Sequence, residues 1–154
     1  MNKKKILLLL IPFILVCIVI SFIVLNERNV GIKMEQDIKF LEHISEMKIT
    51  KLKLRQAVDL PEYVEFSDDD LIEEVISFLK TIKIKSLLKH SNDTNGGGEV
   101  LTMYFTDSEN TIIEFGVNSI YLNGTNYLAE YSNTYILNMV FQKSANRGYL
   151  KKNN

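Results

Sequence analysis

The sequence predicts an α+β protein: an N-terminal transmembrane helix followed by a small antiparallel sheet with helices packed mainly on one face. Three observations predict it. Ile6 to Leu25 is an uncharged run of twenty residues directly behind Lys3, Lys4 and Lys5. Downstream, short stretches alternate apolar and polar residues with turn residues between them, the pattern of half-buried strands joined by hairpins. Strand runs and helical runs segregate, which argues against the βαβ alternation of a parallel sheet.

The N-terminal run comes first. At about 1.5 Å per residue, twenty helical residues reach roughly 30 Å, the thickness of a hydrocarbon core. A helix also satisfies its own backbone groups where water is absent. Pro12 falls inside the run and predicts a local kink, since membrane helices tolerate proline. The basic start favours a cytoplasmic N-terminus over residues 1–5, a lipid-bilayer anchor over residues 6–25, and an extracytoplasmic remainder at the cell membrane. The competing reading is a cleaved export signal, which would leave the remainder secreted. Against it, no small-x-small pair closes the run; Val19 with Ser21 is followed by the still apolar Phe22 to Leu25.

Composition narrows the chemistry. Once Lys3, Lys4 and Lys5 are set aside, 15 basic residues face 19 acidic ones, a formal charge of −4. That balance lacks the basic excess of a nucleic-acid binder. The single cysteine, Cys17, lies in the anchor, so the remainder forms no internal disulfide and depends on packing for stability.

Residues 26–47 read as a juxtamembrane or docked helix, because Met34, Ile38, Leu41, Ile44 and Met47 recur at spacings of four and three. Self-pairing through this stripe is the alternative. Residues 48–143 read as one domain. Its first strand, Lys48 to Arg55, places Leu52 and Leu54 on one face and Lys51, Lys53 and Arg55 on the other. Tyr63 to Phe66 returns as its antiparallel partner. Ser67 stands where a helix cap belongs, with Asp68, Asp69 and Asp70 in the first turn and Lys80 and Lys83 near the end. Leu71, Ile72, Val75, Ile76, Leu79 and Ile82 give that helix its apolar face. After a polar loop, Ser91 to Gly98, three strands are carried by Leu101/Met103/Phe105, Ile113/Phe115/Val117 and Ile120/Leu122. Asp107-Ser108-Glu109-Asn110 suits a hairpin loop and Asn123-Gly124 a type I′ turn, with Tyr127 beginning the return strand. A last helix spans about Asn133 to Lys143, and residues 144–154 read as a polar tail.

The strand Ile49-Thr50-Lys51-Leu52-Lys53-Leu54, the helix opened by Ser67-Asp68, and the hairpin Ile120-Tyr121-Leu122-Asn123-Gly124-Thr125-Asn126-Tyr127 carry a resemblance. Over about Lys48 to Glu130 the chain resembles a family of small, N-terminally anchored extracytoplasmic domains from Gram-positive bacteria. The resemblance implies a secreted, lipidated or membrane-tethered protein and carries over no activity or functional residue. The chain departs from the lipidated members at Cys17, which Val16 precedes where a small residue is required.

Candidate chemistry is sparse. Asp68, Asp69, Asp70, Glu73 and Glu74 cluster carboxylates, but they sit where acids stabilise a helix start and lack the glycine-centred loop of a calcium site. Gly96-Gly97-Gly98 lacks the Lys-Ser/Thr pair of a phosphate loop and reads as a flexible connection. His43 and His90 are far apart and make a poor zinc set. Asn92-Asp93-Thr94 and Asn123-Gly124-Thr125 match the glycan acceptor pattern, though turn geometry explains both asparagines. No cofactor is expected. Two basic rows remain: Lys51, Lys53 and Arg55 on the first strand, and Lys83 and Lys85 with Lys80 and Lys89 around the end of the long helix. Converged, they would form a face for anionic lipid or wall polymer at about 1 kcal/mol per basic residue near a surface. The competing reading is a solvated sheet face and a helix end complementing its dipole.

These features predict a noncatalytic interaction module for a membrane or envelope component. An immunity-like or regulatory membrane protein is one alternative; a small envelope enzyme using carboxylates such as Glu65 or Asp107 is another. Mass spectrometry of the mature protein is expected to recover residues 1–25, whereas a chain beginning near Phe22 would identify a cleaved signal.

Overall fold

The computed structural model describes residues 3–56, 61–88, 98–106, 109–131 and 134–152, with side chains from residue 14 onward. The expectations for Lys89, His90, Asn92 to Thr94, Gly96, Gly97, Asp107, Ser108 and Asn133 fall outside them. The chain divides into two compact units, Met1–Gln36 and Asp37–Asn154. The first is the greater part of one helix, α1 (Lys3–Glu42), which continues through Pro12. Among the described residues it is the single helix long and apolar enough to cross a membrane.

The second unit is an eight-stranded, wholly antiparallel sheet with helices on one face. Its strands are β1 (Ile49–Arg55), β2 (Glu62–Phe66), β3 (Lys83–Leu87), β4 (Val100–Phe105), β5 (Thr111–Phe115), β6 (Ser119–Leu122), β7 (Thr125–Glu130) and β8 (Leu150–Lys152). They lie in the order β3-β7-β6-β5-β4-β1-β2-β8. Helix α2 (Asp69–Leu79) carries the chain from β2 near one edge to β3 at the other, and α3 (Tyr135–Asn146) returns it from β7 to β8. The two helices therefore cross the same face and pack against each other.

Alternation decides what that face buries. Leu52 and Leu54 of β1 stand opposite Phe66 and Val64 of β2 on one side and Met103 and Leu101 of β4 on the other. The row continues through Ile113, Leu122, Phe115, Ile120 and Tyr127. All of these are buried, as are Leu71, Ile72, Val75, Phe78 and Leu79 of α2 and Leu137, Val140 and Phe141 of α3. Each fully buried side chain of this kind is worth about 1.5–3 kcal/mol over its exposed state, so the face outweighs any surface interaction described below. Aromatic contacts fix the seating: Phe78 meets Phe115 at 5.4 Å between ring centroids and Tyr131 edge-on at 6.1 Å.

The folded unit begins at Asp37, earlier than the expected boundary at residue 48, because the end of α1 belongs to its core. Leu41 is buried and Phe40 packs edge-on against Phe105 at 6.2 Å. The helix stops at Glu42, before the expected Met47, and a short 3-10 turn over Ile44–Glu46 places the buried Ile44 beneath α2. Asp37, 4% exposed, accepts hydrogen bonds from the Tyr127 hydroxyl at 2.6 Å and the Asn123 side-chain amide at 3.0 Å. A buried carboxylate is tolerated only with partners such as these.

Two further expectations are corrected. Residues 144–154 are no polar tail: α3 runs to Asn146, Gly148 turns the chain at a φ of 87°, and Leu150–Lys152 pairs with β2. All three β8 residues are exposed, so no alternation announces the strand. Lys83 and Lys85 lie in β3, past the helix end, because the Thr81 and Ile82 N–H groups bond back to Phe78 and Leu79 and close α2. Gly98 is also more than a flexible link. A Cβ there would fall 1.3 Å from the Phe115 carbonyl oxygen, so the strand contact admits only glycine.

Replacing Tyr127 with Phe removes a donor and leaves Asp37 short of a partner inside the core. Urea unfolding of the full chain in detergent is expected to show a loss of about 1–3 kcal/mol; an unchanged midpoint would contradict the assigned role of this hydrogen bond.

Candidate functional site

The first surface to consider is the sheet face away from the helices. Lys51, Lys53 and Arg55 share it, as alternation from Leu52 and Leu54 requires, and each is half-buried. Lys51 lies 3.3 Å from Glu65 and 4.4 Å over the Tyr104 ring, while Lys53 lies 3.9 Å over the Tyr63 ring. Lys151 of β8 adds a 3.1 Å pair to the same Glu65. Partial burial works to raise the Glu65 pKa, but hydrogen bonds and charge from Lys151 and Lys51 outweigh it and hold the carboxyl below its ordinary value of 4.5. The result is a ladder of lysines, tyrosines and one shared carboxylate.

Lys83 and Lys85 do not join this ladder. β3 and β1 are five steps apart in the sheet order, roughly 24 Å at about 4.8 Å per step. Lys85 instead pairs with Glu130 of β7 at 2.8 Å, and Lys83 stands opposite Glu130 in the register. The pairing with Lys85 lowers the Glu130 pKa. The two basic rows are thus separate, each with acids at hand. The tyrosines are also dispersed: Tyr127 is buried, Tyr131 donates its hydroxyl to the Gly116 carbonyl, and Tyr135 is 62% exposed on α3.

A second feature lies on the helix side, beside β3. A half-open groove of about 490 Å³ is floored by Ile38 and Leu41 of α1, Leu79 and Ile82 at the end of α2, and Ile84 of β3. Glu42, Lys80 and Lys83 complete the lining. The groove's volume is in the range of small-ligand and side-chain pockets, and its lining mixes aliphatic with charged side chains. Leu41, Leu79 and Ile82 show in the sequence as helical faces, but no alternation marks β3, so no local pattern signals the groove.

The remaining candidates have structural partners. Asp68 and Asp70 hold Arg147, the residue that caps the C-terminus of α3, at 2.9 and 2.7 Å, and Asp68 also accepts the Tyr149 hydroxyl at 3.1 Å. Asp68 is the N-cap residue of α2, one position after the expected Ser67, and makes no side-chain cap bond; its carboxylate is engaged with Arg147 and Tyr149. The Arg147 guanidinium depresses the Asp70 pKa. Glu74 holds Lys143 at 2.6 Å. His43 is exposed and its Nδ1 donates to the Lys39 carbonyl at 2.9 Å. A polar chain that the sequence did not announce runs from Gln56 to Asn138 at 3.1 Å and from Asn138 to Glu99 at 3.0 Å, joining the ends of β1 and β4 to the start of α3. Among the described residues no group of three or more His, Cys, Asp or Glu is placed to hold a metal ion.

Comparison with protein-family models, with curated proteins and with solved structures gave no match.

A carboxyl whose folded pKa lies below its unfolded value stabilises the fold above the unfolded pKa and loses that contribution as pH falls through the folded pKa. Replacing Lys51 and Lys151 together with Gln is expected to raise the Glu65 midpoint toward 4.5 in a side-chain carboxyl NMR titration. The acid end of the unfolding profile should then depend less on Glu65. An unmoved midpoint would show that neither lysine sets it.

Proposed function

We propose that the chain is a single-pass membrane protein whose folded unit lies outside the cytoplasm and serves as a noncatalytic interaction module for a membrane or envelope component. The observation that carries this reading is α1: a helix apolar enough to span a bilayer, whose final residues, including Asp37 and Leu41, are buried in the folded unit. The resemblance to small anchored domains of Gram-positive bacteria is part of this proposal and agrees with the location.

The chemistry of the described side chains supports the noncatalytic part. Glu65, the carboxylate weighed for acid–base work, is held ionised between two lysines, which suits an ion pair and ill suits proton exchange near neutral pH. Asp68 and Asp70 are likewise occupied with Arg147. The outward sheet face carries Lys51 and Lys53 stacked over the Tyr104 and Tyr63 rings, and its tyrosines are of the aromatic type enriched at contact surfaces. Lys83 and Lys85, at a distant strand, form a second and smaller basic feature for anionic lipid or wall polymer.

Two measurements test the reading. Protease added to intact cells is expected to remove the C-terminal unit of the full-length protein, and cross-linking in membranes followed by affinity recovery is expected to yield one reproducible partner. Protection of the C-terminal unit would overturn the location, and recovery of no reproducible partner would overturn the role.

A further inference from the structure

The groove beside β3 coincides with an open sheet edge. β3 is terminal in the sheet, paired with β7 on one flank, and no described strand pairs with the other. The Leu88 N–H bonds to the Asn126 carbonyl, so the alternation of an antiparallel ladder turns the N–H and C=O of Leu87 toward the open side. Unpaired groups of this kind are a template for another strand. Immediately inward, Ile84 forms part of the groove floor with Leu41, Leu79 and Ile82. A strand laid along β3 would direct alternate side chains toward that apolar floor and the intervening ones toward solvent.

Charge selects among strands. Lys83 and Lys85 lie on this edge, and a register shift between Ile84 and Ser86 bends it. Lysines and bulges are the devices that keep like edges apart, and a second β3 would bring lysine against lysine. Lys80, Lys83 and Lys85 at this edge face two acids, Glu42 of the groove lining and Glu130 of β7. Such an edge disfavours a copy of itself and favours an incoming strand that carries carboxylates.

We propose that β3 receives an extended, acid-bearing segment of a partner protein as a ninth strand, with an aliphatic side chain of that segment in the groove and a carboxylate of its alternate, solvent-facing side at Lys83. This assignment rests on the interaction-module reading and names the surface and the class of partner. Main-chain hydrogen bonds supply affinity; the groove and Lys83 supply selectivity.

The test uses the full-length chain in nanodiscs and fluorescence anisotropy. Three degenerate pools of labelled octapeptides are compared: Asp or Glu alternating with Val, Ile or Leu; the same with Lys in place of the acids; and the acidic pool N-methylated at alternate residues. The acidic pool is expected to bind, the lysine pool not to bind, and N-methylation to abolish binding by removing main-chain donors. The exposed substitution Lys83→Glu is expected to weaken the acidic pool about tenfold or more. Hydrogen exchange at the Leu87 amide should slow on binding. Absence of acidic-pool binding, equal binding of acidic and lysine pools, retention of binding after N-methylation, insensitivity to charge reversal, or unchanged exchange at Leu87 would each overturn the assignment. If the peptides fail while membrane cross-linking still recovers a reproducible partner, the β3 assignment falls and the broader reading stands. If cross-linking recovers none, the broader reading falls.

Discussion

One sheet face must be kept from water, and every helix in the folded unit is placed by that demand. The inward side chains of β1, β2 and β4 to β7 make a continuous apolar surface that α2 and α3 cover over β1 and β2. The end of α1 and the 3-10 turn after it complete the cover with Phe40, Leu41 and Ile44. Asp37 enters this layer with two partners, the Tyr127 hydroxyl and the Asn123 side-chain amide. Beside β3, at the sheet edge, a groove remains between Ile84 and the ends of α1 and α2.

Charge plays a different part. Arg147 with Asp68 and Asp70, and Lys143 with Glu74, hold α3 to the start of α2. These pairs are exposed, and pairs of that kind contribute little individually because water screens them and long side chains lose freedom. Their arrangement matters more than their energy, since three of the acids around the beginning of α2, Asp68, Asp70 and Glu74, find cations on α3 or at its C-terminal cap. The same holds on the outward sheet face, where Glu65 is shared by lysines from β1 and β8. Much of the chain's apparent basic surface is thereby neutralised locally.

What was legible in the amino acids followed the range of the interactions. Leu52 and Leu54 alternating with Lys51 and Lys53 place β1 correctly, and the apolar recurrence from Leu71 to Leu79 places α2. Asn123-Gly124 forms the expected tight turn, with φ values of 49° and 82°. β3 escaped because its register shifts after Ile84, and β8 because all three of its residues face solvent. The convergence of Lys51, Lys53 and Arg55 with Lys83 and Lys85 failed for a topological reason: α2 carries the chain across the sheet, so strands adjacent in sequence end on opposite edges. Asp37 with Tyr127, and Glu99 with Asn138 and Gln56, join residues far apart along the chain, and no local pattern marks either set.

The position of β8 also imposes an order on assembly. β2 lies in the first half of the folded unit, yet its outer neighbour consists of Leu150–Lys152, the last strand made. In chain order β1 and β2 precede β8 by about 85 residues or more, so β2 has no outer neighbour until Leu150–Lys152 reach it. Sheets built from distant segments close slowly, and nascent flanks are where misassociation starts. The three C-terminal strand residues thus act late, as a hem sewn along a border that the rest of the fold leaves unfinished.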